Sequence, residues 1–274
     1  MSFFYKLSNF QKRVITGVVG IALILNAVYW NEWLYFFVFL FIMFFSLHEF
    51  YTLLTKSGVQ ISILALVQGI AIYTVFFLIQ KKYLPVEAYV LILILPFILL
   101  PIQLYRLPSS SLASLAWAWM GLMYVVLPFS MLHLIAFQNY GYSFQMVMGI
   151  LFLIWANDTG AYLVGKKWGK HKLFERISPG KTWEGFVGGF ILALLVSLLI
   201  SFYFKDISQW KWFVIAIIIT VVGTYGDLVE SMFKRNLQVK DSGTLIPGHG
   251  GFLDRFDAFL LAVPFVLAFL LFFR

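Results

Sequence analysis

Long apolar segments recur along this chain and constrain its fold more than any other feature. Each has about twenty residues, enough for a helix to cross a hydrocarbon core of roughly 30 Å. A backbone in lipid must satisfy its own hydrogen bonds, and a helix does so within a single segment. The 274 residues are 62% hydrophobic and 12% charged, so too few polar side chains remain to cover one large soluble core. The sequence therefore predicts an all-α polytopic integral membrane protein.

The apolar segments divide into nine predicted transmembrane helices, separated by short polar stretches or by proline and glycine. We expect spans at residues 13–31, 33–55, 61–80, 86–106, 118–137, 144–165, 185–204, 211–230 and 256–273. No internal repeat divides the chain, so residues 1–274 are predicted to form one membrane domain. Within it, residues 1–143 are an N-terminal helical scaffold. Residues 144–274 form a second portion with long polar loops at 166–184 and 231–255.

Lysine and arginine are distributed unevenly around these spans, and this asymmetry predicts the orientation. Lys6, Lys12 and Arg13 precede or begin the first span, and no basic residue follows it closely. We therefore expect a cytoplasmic N-terminus and a first span that is retained, since it lacks a signal-peptide cleavage pattern.

The net charge of +8 fits loops that face anionic lipid headgroups better than a nucleic-acid partner. The chain has no cysteine, which excludes disulfides, zinc–thiolate sites and a thiol nucleophile.

The most charged part of the chain, residues 223–257, interrupts the apolar sequence near its end. It contains five acids and at least four cations: Asp227, Glu230, Asp241, Asp254, Asp257, Lys234, Arg235, Lys240 and Arg255. If the eighth span continues as a helix, Asp227, Glu230 and Lys234 lie on one face. A salt bridge from Lys234 to either acid is the structural alternative to a functional role. Asp254 and Asp257 are also three residues apart, where acids suit a helix N-terminus through its dipole.

Two such acidic pairs on either side of one loop favour a metal site. Carboxylates supply the hard oxygen ligands that Mg²⁺ prefers, usually together with substrate phosphate oxygens. The loop between them contains Pro247-Gly248-His249-Gly250-Gly251, and glycines let a backbone approach a phosphate closely. The neighbouring basic side chains would neutralise a polyphosphate. Together these features predict phosphoryl or nucleotidyl transfer at the membrane surface.

A second polar stretch runs from Trp155 to Gly189. It places Asn157 and Asp158 inside an apolar span, where an acid is a functional hypothesis by default, with buried packing as the alternative. Ser178-Pro179-Gly180-Lys181-Thr182 then carries a lysine between two hydroxyl residues. This motif either binds phosphate or caps the seventh span through a hydroxyl group.

Two partial motifs do not carry their usual chemistry. Gly160 to Lys167 nearly matches a P-loop, but it lacks the final hydroxyl residue and lies at the end of an apolar span. His48-Glu49 is not followed by the second histidine of a zinc protease motif. We assign no role to His48, Glu49, His133 or Asp158.

The two polar stretches resemble the phosphatidate cytidylyltransferases, also called CDP-diacylglycerol synthases. The resemblance lies in Ser231-Met-Phe-Lys234-Arg235, Lys240-Asp241, Pro247-Gly-His-Gly-Gly-Phe-Leu-Asp254-Arg255-Phe-Asp257, Asn157-Asp158-Thr-Gly-Ala-Tyr and Ile177-Ser-Pro-Gly-Lys-Thr-Trp-Glu-Gly. Gly180 stands where that family commonly has lysine, which removes one phosphate contact. The part of the chain before the second polar stretch resembles the family only in being a series of apolar spans.

The resemblance implies that residues 144–274 catalyse transfer of CMP from CTP to phosphatidate, with Mg²⁺ as cofactor and release of pyrophosphate. It implies catalytic roles for Asp227, Asp254, Asp257 and Lys234. Asp227 and Asp254 would hold the metal, while Glu230 and Asp257 would bind a second cation or orient the first. Substrate contacts would come from Ser178, Lys181, Thr182, Arg235, Lys240, His249, Gly250 and Arg255. The family also implies membrane lipid as a partner, a possible homodimer, and an active site on the cytoplasmic side of a bacterial inner membrane.

Three other functions remain as alternatives at this point. A CTP-dependent lipid or polyprenol kinase would use similar nucleotide-binding loops but would release CDP instead of pyrophosphate. An ion-coupled transporter would place its intramembrane acids near the middle of the bilayer, whereas most acids here lie at the ends of spans. A CDP-alcohol phosphotransferase is disfavoured because its paired acidic motif is absent from the sequence.

Overall fold

The computed structural model describes residues 9–56, 58–59, 61–105, 112–138, 141–239, 242–243, 245–246 and 250–273. Side chains are described throughout these ranges except at residues 9–13 and 103–104. Nearly all of the described chain is helical. The predicted all-α membrane fold is confirmed.

Eleven α-helices occur within the described residues. They are α1 (Asn9–Trp30), α2 (Glu32–Lys56), α3 (Ile63–Gln80), α4 (Tyr89–Ile94), α5 (Leu99–Leu104), α6 (Leu112–Gly121), α7 (Leu127–Ala136), α8 (Phe144–Trp168), α9 (Trp183–Tyr203), α10 (Gln209–Asn236) and α11 (Leu253–Phe272). Short 3₁₀ turns lie at Val86–Ala88 and Leu95–Ile98, and the π-helical turn Leu122–Val126 joins α6 to α7. The described strands are β1 (Lys172–Phe174) and β2 (Ser178–Thr182).

Seven helical segments in the described part of the chain are long and apolar enough to cross a membrane. They are Glu32–Lys56, Ile63–Gln80, Leu112–Ala136, Phe144–Trp168, Trp183–Tyr203, Gln209–Asn236 and Leu253–Phe272. The other two predicted spans correspond to shorter apolar helices, Val14–Trp30 and Val86–Ile102. The second of these contains Pro96 within a 3₁₀ turn, because proline has no N–H to continue an α-helical hydrogen-bond ladder. The count of nine therefore stays a prediction.

The chain divides into two compact units, whose boundaries fall inside α7, at the end of α10 and inside α11. The first unit comprises Met1–Ser130 and Leu237–Phe256, and the second comprises Met131–Asn236 and Asp257–Arg274. The predicted division at residue 143 concerned roles in function, and it stays a prediction.

The core of the first unit forms where α2 packs against its neighbouring helices. The hydroxyl of Tyr51 donates a hydrogen bond to the carbonyl oxygen of Ala118 at 2.7 Å. A Cβ atom at Gly121 would lie 2.4 Å from the Tyr51 ring, so the missing side chain makes room for that ring. The Tyr73 hydroxyl likewise donates to the Phe36 carbonyl at 3.1 Å. These two buried hydroxyls thus find backbone acceptors, as the low-dielectric interior favours.

The second unit is built around α8 and α9, which cross at glycine residues. A Cβ atom at Gly160 would lie 2.6 Å from the carbonyl oxygen of Gly188 and 3.0 Å from the Cα of Gly189. Small residues at such a crossing let two membrane helices approach closely and gain packing contacts. Nearer the start of α8, a Cβ atom at Gly149 would lie 2.2 Å from the buried ring of Trp212 on α10. The glycine therefore makes room for that ring.

The segment 166–184, predicted as a loop, contains regular structure. Helix α8 continues to Trp168, and β1 and β2 then form an antiparallel hairpin with Lys172 opposite Thr182. The hydroxyl of Thr182 accepts a hydrogen bond from the N–H of Gly185 at 3.1 Å and caps α9. The hairpin therefore delivers residues 178–182 directly to the beginning of the next membrane helix.

Candidate active site

Helices α10 and α11 approach each other closely at Gly226 in the second unit. A Cβ atom at Gly226 would lie 2.5 Å from the carbonyl oxygen of Asp257 and 3.1 Å from the Cα of Ala258. Only glycine fits this backbone contact without a shift of one helix. The contact brings two acids together, because Asp227 follows Gly226 directly. The carboxyl groups of Asp227 and Asp257 are within hydrogen-bond reach of each other, and Glu230 acts electrostatically on Asp257.

Lysine side chains balance two of these three acids. Lys181, from β2, forms an ion pair with Asp227 in which both side chains are partly buried. Lys234 pairs with Glu230 at 2.6 Å, four residues along α10. Glu230 is buried, and a buried charge is tolerated only when a partner compensates its lost hydration. The salt bridge predicted for Lys234 with an acid of the same helix is thus observed, and a catalytic role for Lys234 stays a prediction.

The hairpin residues have structural partners that explain their placement. Thr182 is buried, and its hydroxyl caps α9, as the capping interpretation of this motif predicts. Ser178 lies at the other end of β2, opposite Phe174, and is half-buried. The phosphate contacts predicted for Ser178, Lys181 and Thr182 stay predictions.

Arg235 connects the end of α10 to the same hairpin. Its Nε–H donates to the carbonyl oxygen of Ile177 at 3.3 Å, and its side chain is exposed. The second unit thus brings together six of the predicted site residues: Asp227, Glu230, Asp257, Lys181, Lys234 and Arg235.

Glu184 organises this surface although no role had been assigned to it. Its carboxylate accepts hydrogen bonds from the backbone N–H groups of Lys170 at 3.1 Å and His171 at 3.2 Å. It also contacts Nδ1 of the His171 ring at 2.5 Å. Glu184 lies in the first turn of α9 and so fastens the start of the hairpin to that helix. An acid in the first turn of a helix is the sequence signal that indicates such a position.

The first unit contains the remaining predicted site residues that the structure describes. Asp254 accepts hydrogen bonds from the backbone N–H of Ser242 at 3.1 Å and of Gly251 at 3.0 Å. Gly250 adopts φ +87°, and it pairs with Ile246 in an isolated antiparallel bridge. Arg255 is exposed. The metal and phosphate roles of Asp254, Gly250 and Arg255 stay predictions, and Lys240 and His249 lie outside the described residues.

A buried acid of the first unit was not predicted to have a role. Glu49 on α2 is 3% exposed, and its Oε2 accepts a hydrogen bond from the N–H of Leu253 at 2.9 Å. The signal for such a residue is present in the sequence, since a lone acid inside an apolar span is costly unless it is used. Its partners were not readable, because they lie two hundred positions away in the chain.

The intramembrane polar pair on α8 divides into one buried and one exposed residue. Asn157 is buried, and a Cβ atom at Gly189 would lie 2.7 Å from its side-chain oxygen. Packing, the alternative to a functional role, therefore describes Asn157. Asp158 is exposed on α8. The near-match to a P-loop, Gly160 to Lys167, lies wholly within α8 and not in a phosphate-binding loop.

The acids of the second unit offer oxygen ligands of the kind that a magnesium ion binds. Among the described residues, no group of three or more His, Asp or Glu side chains is arranged to hold a metal ion. Mg²⁺, however, commonly uses only one or two carboxylates and takes its other ligands from phosphates and water. The contact between Asp227 and Asp257 provides two carboxylates at one place. The residues present therefore fit a magnesium ion that binds together with a nucleotide.

Comparison with known proteins identifies a family over nearly the whole chain. Residues 11–273 match a family model described as the cytidylyltransferase family. A phosphatidate cytidylyltransferase of Staphylococcus saprophyticus is 41% identical over 169 residues, which are 61% of this chain and 64% of that protein. The protein of the same name from Staphylococcus haemolyticus is 40% identical over 169 residues, with the same coverage of 61% and 64%.

A third relative matches more strongly over a shorter segment. A phosphatidate cytidylyltransferase of Staphylococcus aureus is 52% identical over 114 residues, which are 41% of this chain and 44% of that protein. The matched segments thus span less than two thirds of the length of these relatives.

Proposed function

Because this chain belongs to the cytidylyltransferase family, we propose that it transfers CMP from CTP to phosphatidate, giving CDP-diacylglycerol and pyrophosphate. One observation of the structure carries the proposal beyond the family match. Two acids from neighbouring membrane helices, Asp227 and Asp257, meet beside Lys181 from the hairpin. Acids that can hold a metal, next to a cation that can contact phosphate, are what the transfer of a nucleotidyl group requires.

In this reaction a phosphate oxygen of phosphatidate attacks the α-phosphorus of CTP. A new oxygen–phosphorus bond forms, and the bond to the β-phosphate breaks, so that pyrophosphate leaves. The protein needs no covalent intermediate for this step, because its part is to orient the two phosphates and neutralise their charge. A membrane-embedded protein is suited to this task, since one substrate is a lipid and the other is soluble in water.

Asp227 and Asp257 are the residues that would hold Mg²⁺. When bound, Mg²⁺ supplies charge neutralisation at the α-phosphoryl oxygens and at the leaving pyrophosphate. Glu230 lies next to Asp257 and is held by Lys234, so its proposed part is to fix the orientation of these side chains. Lys181 would exchange its contact with Asp227 for a phosphate oxygen of CTP. Arg235, exposed at the end of α10, would contact the outer phosphates.

The site is proposed to face the cytoplasm, where CTP is available. The six basic residues from Lys166 to Lys181 support this orientation, because positively charged loops remain preferentially on the inner side. The bacterial inner membrane is the proposed location, in keeping with the bacterial relatives. A homodimer is expected from the family resemblance alone and stays a prediction.

The reaction products distinguish this function from a CTP-dependent lipid kinase. The purified protein is incubated with phosphatidate, Mg²⁺ and CTP that carries different labels on its α- and γ-phosphates. A cytidylyltransferase transfers the α-label to lipid and releases the γ-label as pyrophosphate. Transfer of the γ-label to lipid, with release of CDP, would contradict the proposal.

A further inference from the structure

The glycine-rich loop between α10 and α11 is fastened to a buried acid on α2 in the first unit. Glu49 Oε2 accepts hydrogen bonds from the N–H of Leu253 at 2.9 Å and from the hydroxyl of Ser242 at 3.4 Å. Leu253 is the first residue of α11, and its N–H has no partner within the helix. Glu49 therefore acts as a capping acceptor contributed from elsewhere in the chain, in a position that also suits the helix dipole.

Two glycines allow the loop to close on this carboxylate. A Cβ atom at Gly251 would lie 2.4 Å from Glu49 Oε2 and 2.2 Å from the Ser242 hydroxyl oxygen. A Cβ atom at Gly243 would lie 2.4 Å from Glu49 Oε1. The loop backbone thus meets both oxygens of Glu49, and neither position has room for a side chain. The placement of the loop is consequently fitted to this carboxylate.

The same loop is closed internally at two further places. Asp254 accepts hydrogen bonds from the N–H groups of Ser242 and Gly251, which draws the two ends of the loop together. The N–H of Ile246 donates to the carbonyl oxygen of Gly250 at 3.0 Å. Glu49 is the described partner that connects this closed loop to the helix scaffold through charge-assisted hydrogen bonds.

An acid at this place is costly, which argues that it has a use. Glu49 is 3% exposed on a helix whose buried residues are mostly apolar, and burying a carboxylate in a membrane protein is unfavourable unless it is compensated. An apolar side chain would pack in α2 at lower cost. Aromatic contacts from Phe252 to Phe41 and Phe45 already attach the loop to α2, so attachment alone does not require an acid. What the acid adds is one acceptor that fixes the direction of both the Ser242 hydroxyl and the Leu253 N–H.

We propose that Glu49 is a positioning residue, which holds Ser242, Gly251 and Leu253, and with them the start of α11, in the conformation needed for catalysis. The inference rests on the proposed function for its activity measurement, but its structural measurement is independent of any activity. It assigns a role to an acid in the part of the chain where the sequence resemblance carried none.

The structural measurement is hydrogen–deuterium exchange of the full-length protein in lipid nanodiscs. In Glu49→Ala we expect the described residues of the segment 242–253 (242–243, 245–246 and 250–253) to lose their amide protection, because the acceptor of Leu253 is gone. In Glu49→Gln the amide oxygen still accepts that hydrogen bond, so we expect protection close to the wild type. Glu49→Asp keeps the charge but withdraws it by one methylene group, and protection should fall. In Gly251→Ala the added Cβ atom would collide with Glu49 Oε2, so we expect the same loss of amide protection.

Tyr51→Phe is the matched control on the same helix. It removes one buried hydrogen bond, the 2.7 Å contact to the Ala118 carbonyl, without touching the loop. We expect the 242–253 segment to exchange as in the wild type. A general loosening of α2 would instead expose the segment in this variant as well, and that result would overturn the proposal.

Activity then separates positioning from simple stability. Glu49→Ala should lower kcat/KM for CTP by about 10- to 100-fold, with recovery in Glu49→Gln and little change in Tyr51→Phe. Unchanged exchange of the segment in Glu49→Ala, or equal losses of activity in Glu49→Ala and Tyr51→Phe, would overturn the inference. If the exchange pattern appears as expected but the wild-type protein has no CTP-dependent activity, the anchor is supported and the proposed function fails.

Discussion

The ion pair between Lys181 and Asp227 joins residues 46 positions apart and connects the hairpin to helix α10. Both side chains are partly exposed, so the pair itself contributes little to stability. Its value is in placement, because it holds the Lys181 ammonium group beside the carboxylates of Asp227 and Asp257. A lysine in this position is a point charge that can exchange a carboxylate for a phosphate oxygen.

Lys181→Met should therefore impair CTP use more than folding. We expect KM for CTP to rise about tenfold or more, since a charge-assisted contact to phosphate contributes roughly 1.5–3 kcal/mol, while the thermal midpoint changes little. Lys172→Met is the control from the same hairpin, where the lysine donates to the Pro179 carbonyl at 2.7 Å. Steady-state kinetics at varied CTP concentration measures both variants. Equal KM values for Lys181→Met and the wild type would contradict the assigned contact.

The sequence predicted those residue contacts that depend on helical spacing alone. Glu230 and Lys234 are four positions apart, and their salt bridge at 2.6 Å follows from the periodicity of α10. Lys181 and Asp227, or Glu49 and Leu253, come together only through tertiary packing. Periodicity carries no information on which helices become neighbours, so these pairs are visible only in the three-dimensional structure.

At the scale of elements, the close crossing of α10 and α11 determines where the acids meet. The crossing depends on glycine, since a Cβ at Gly226 would lie 2.5 Å from a backbone oxygen of α11. A backbone atom cannot move aside as the end of a side chain can, so any larger residue must separate the helices. The carboxylates of Asp227 and Asp257 would separate with them.

Gly226→Ala should thus reduce both stability and activity. We expect overpacking to lower the free energy of unfolding by roughly 1–3 kcal/mol, seen as a lower thermal midpoint. Turnover should fall by more than the loss of folded protein explains. Gly20→Ala is the matched control, because a Cβ atom at Gly20 has nothing within 4 Å. Thermal unfolding and turnover of both variants in the same detergent provide the measurement. Wild-type turnover in Gly226→Ala would show that the acids need not be in contact.

Elements with a strong apolar signal were predicted well, and short ones were not. The sixth span, predicted at 144–165, is the helix Phe144–Trp168. The hairpin was missed because strands of three and five residues leave no readable alternation of polar and apolar residues. The fourth span is predicted as one helix, whereas the structure divides it at the 3₁₀ turn that contains Pro96. Hydropathy reports the preference of residues for lipid over water and does not detect an interruption of the helix.

For the whole molecule, the number of crossings decides which residues face the cytoplasm. Three predicted spans separate the turn at Tyr83 from the hairpin residue Glu175, and the shorter helix Val86–Ile102 is one of them. If that helix crosses the membrane, the two residues lie on opposite sides. If it does not, only two crossings separate them and they lie on the same side.

Cysteine labelling can test this arrangement directly, because the chain has no natural cysteine. We expect Glu175→Cys to react with a membrane-impermeant maleimide only after the cells are opened, and Tyr83→Cys to react in intact cells. Both residues are exposed, so a difference in labelling reports sidedness and not burial. Labelling of both from the same side would contradict the nine-span topology.

The central claim is that Asp227 and Asp257 hold the metal for CMP transfer to phosphatidate, and turnover of purified variants tests it most directly. Wild-type protein, Asp227→Asn and Asp257→Asn are incubated with CTP, phosphatidate and Mg²⁺, and the lipid products are analysed by mass spectrometry. We predict CDP-diacylglycerol and an equal amount of pyrophosphate from the wild-type protein, with both lost after chelation of Mg²⁺. Each variant should lose at least about 100-fold in kcat, as expected when charge stabilisation in the transition state is removed, while it remains folded in the membrane. Near-normal formation of CDP-diacylglycerol by folded Asp257→Asn protein would contradict the account.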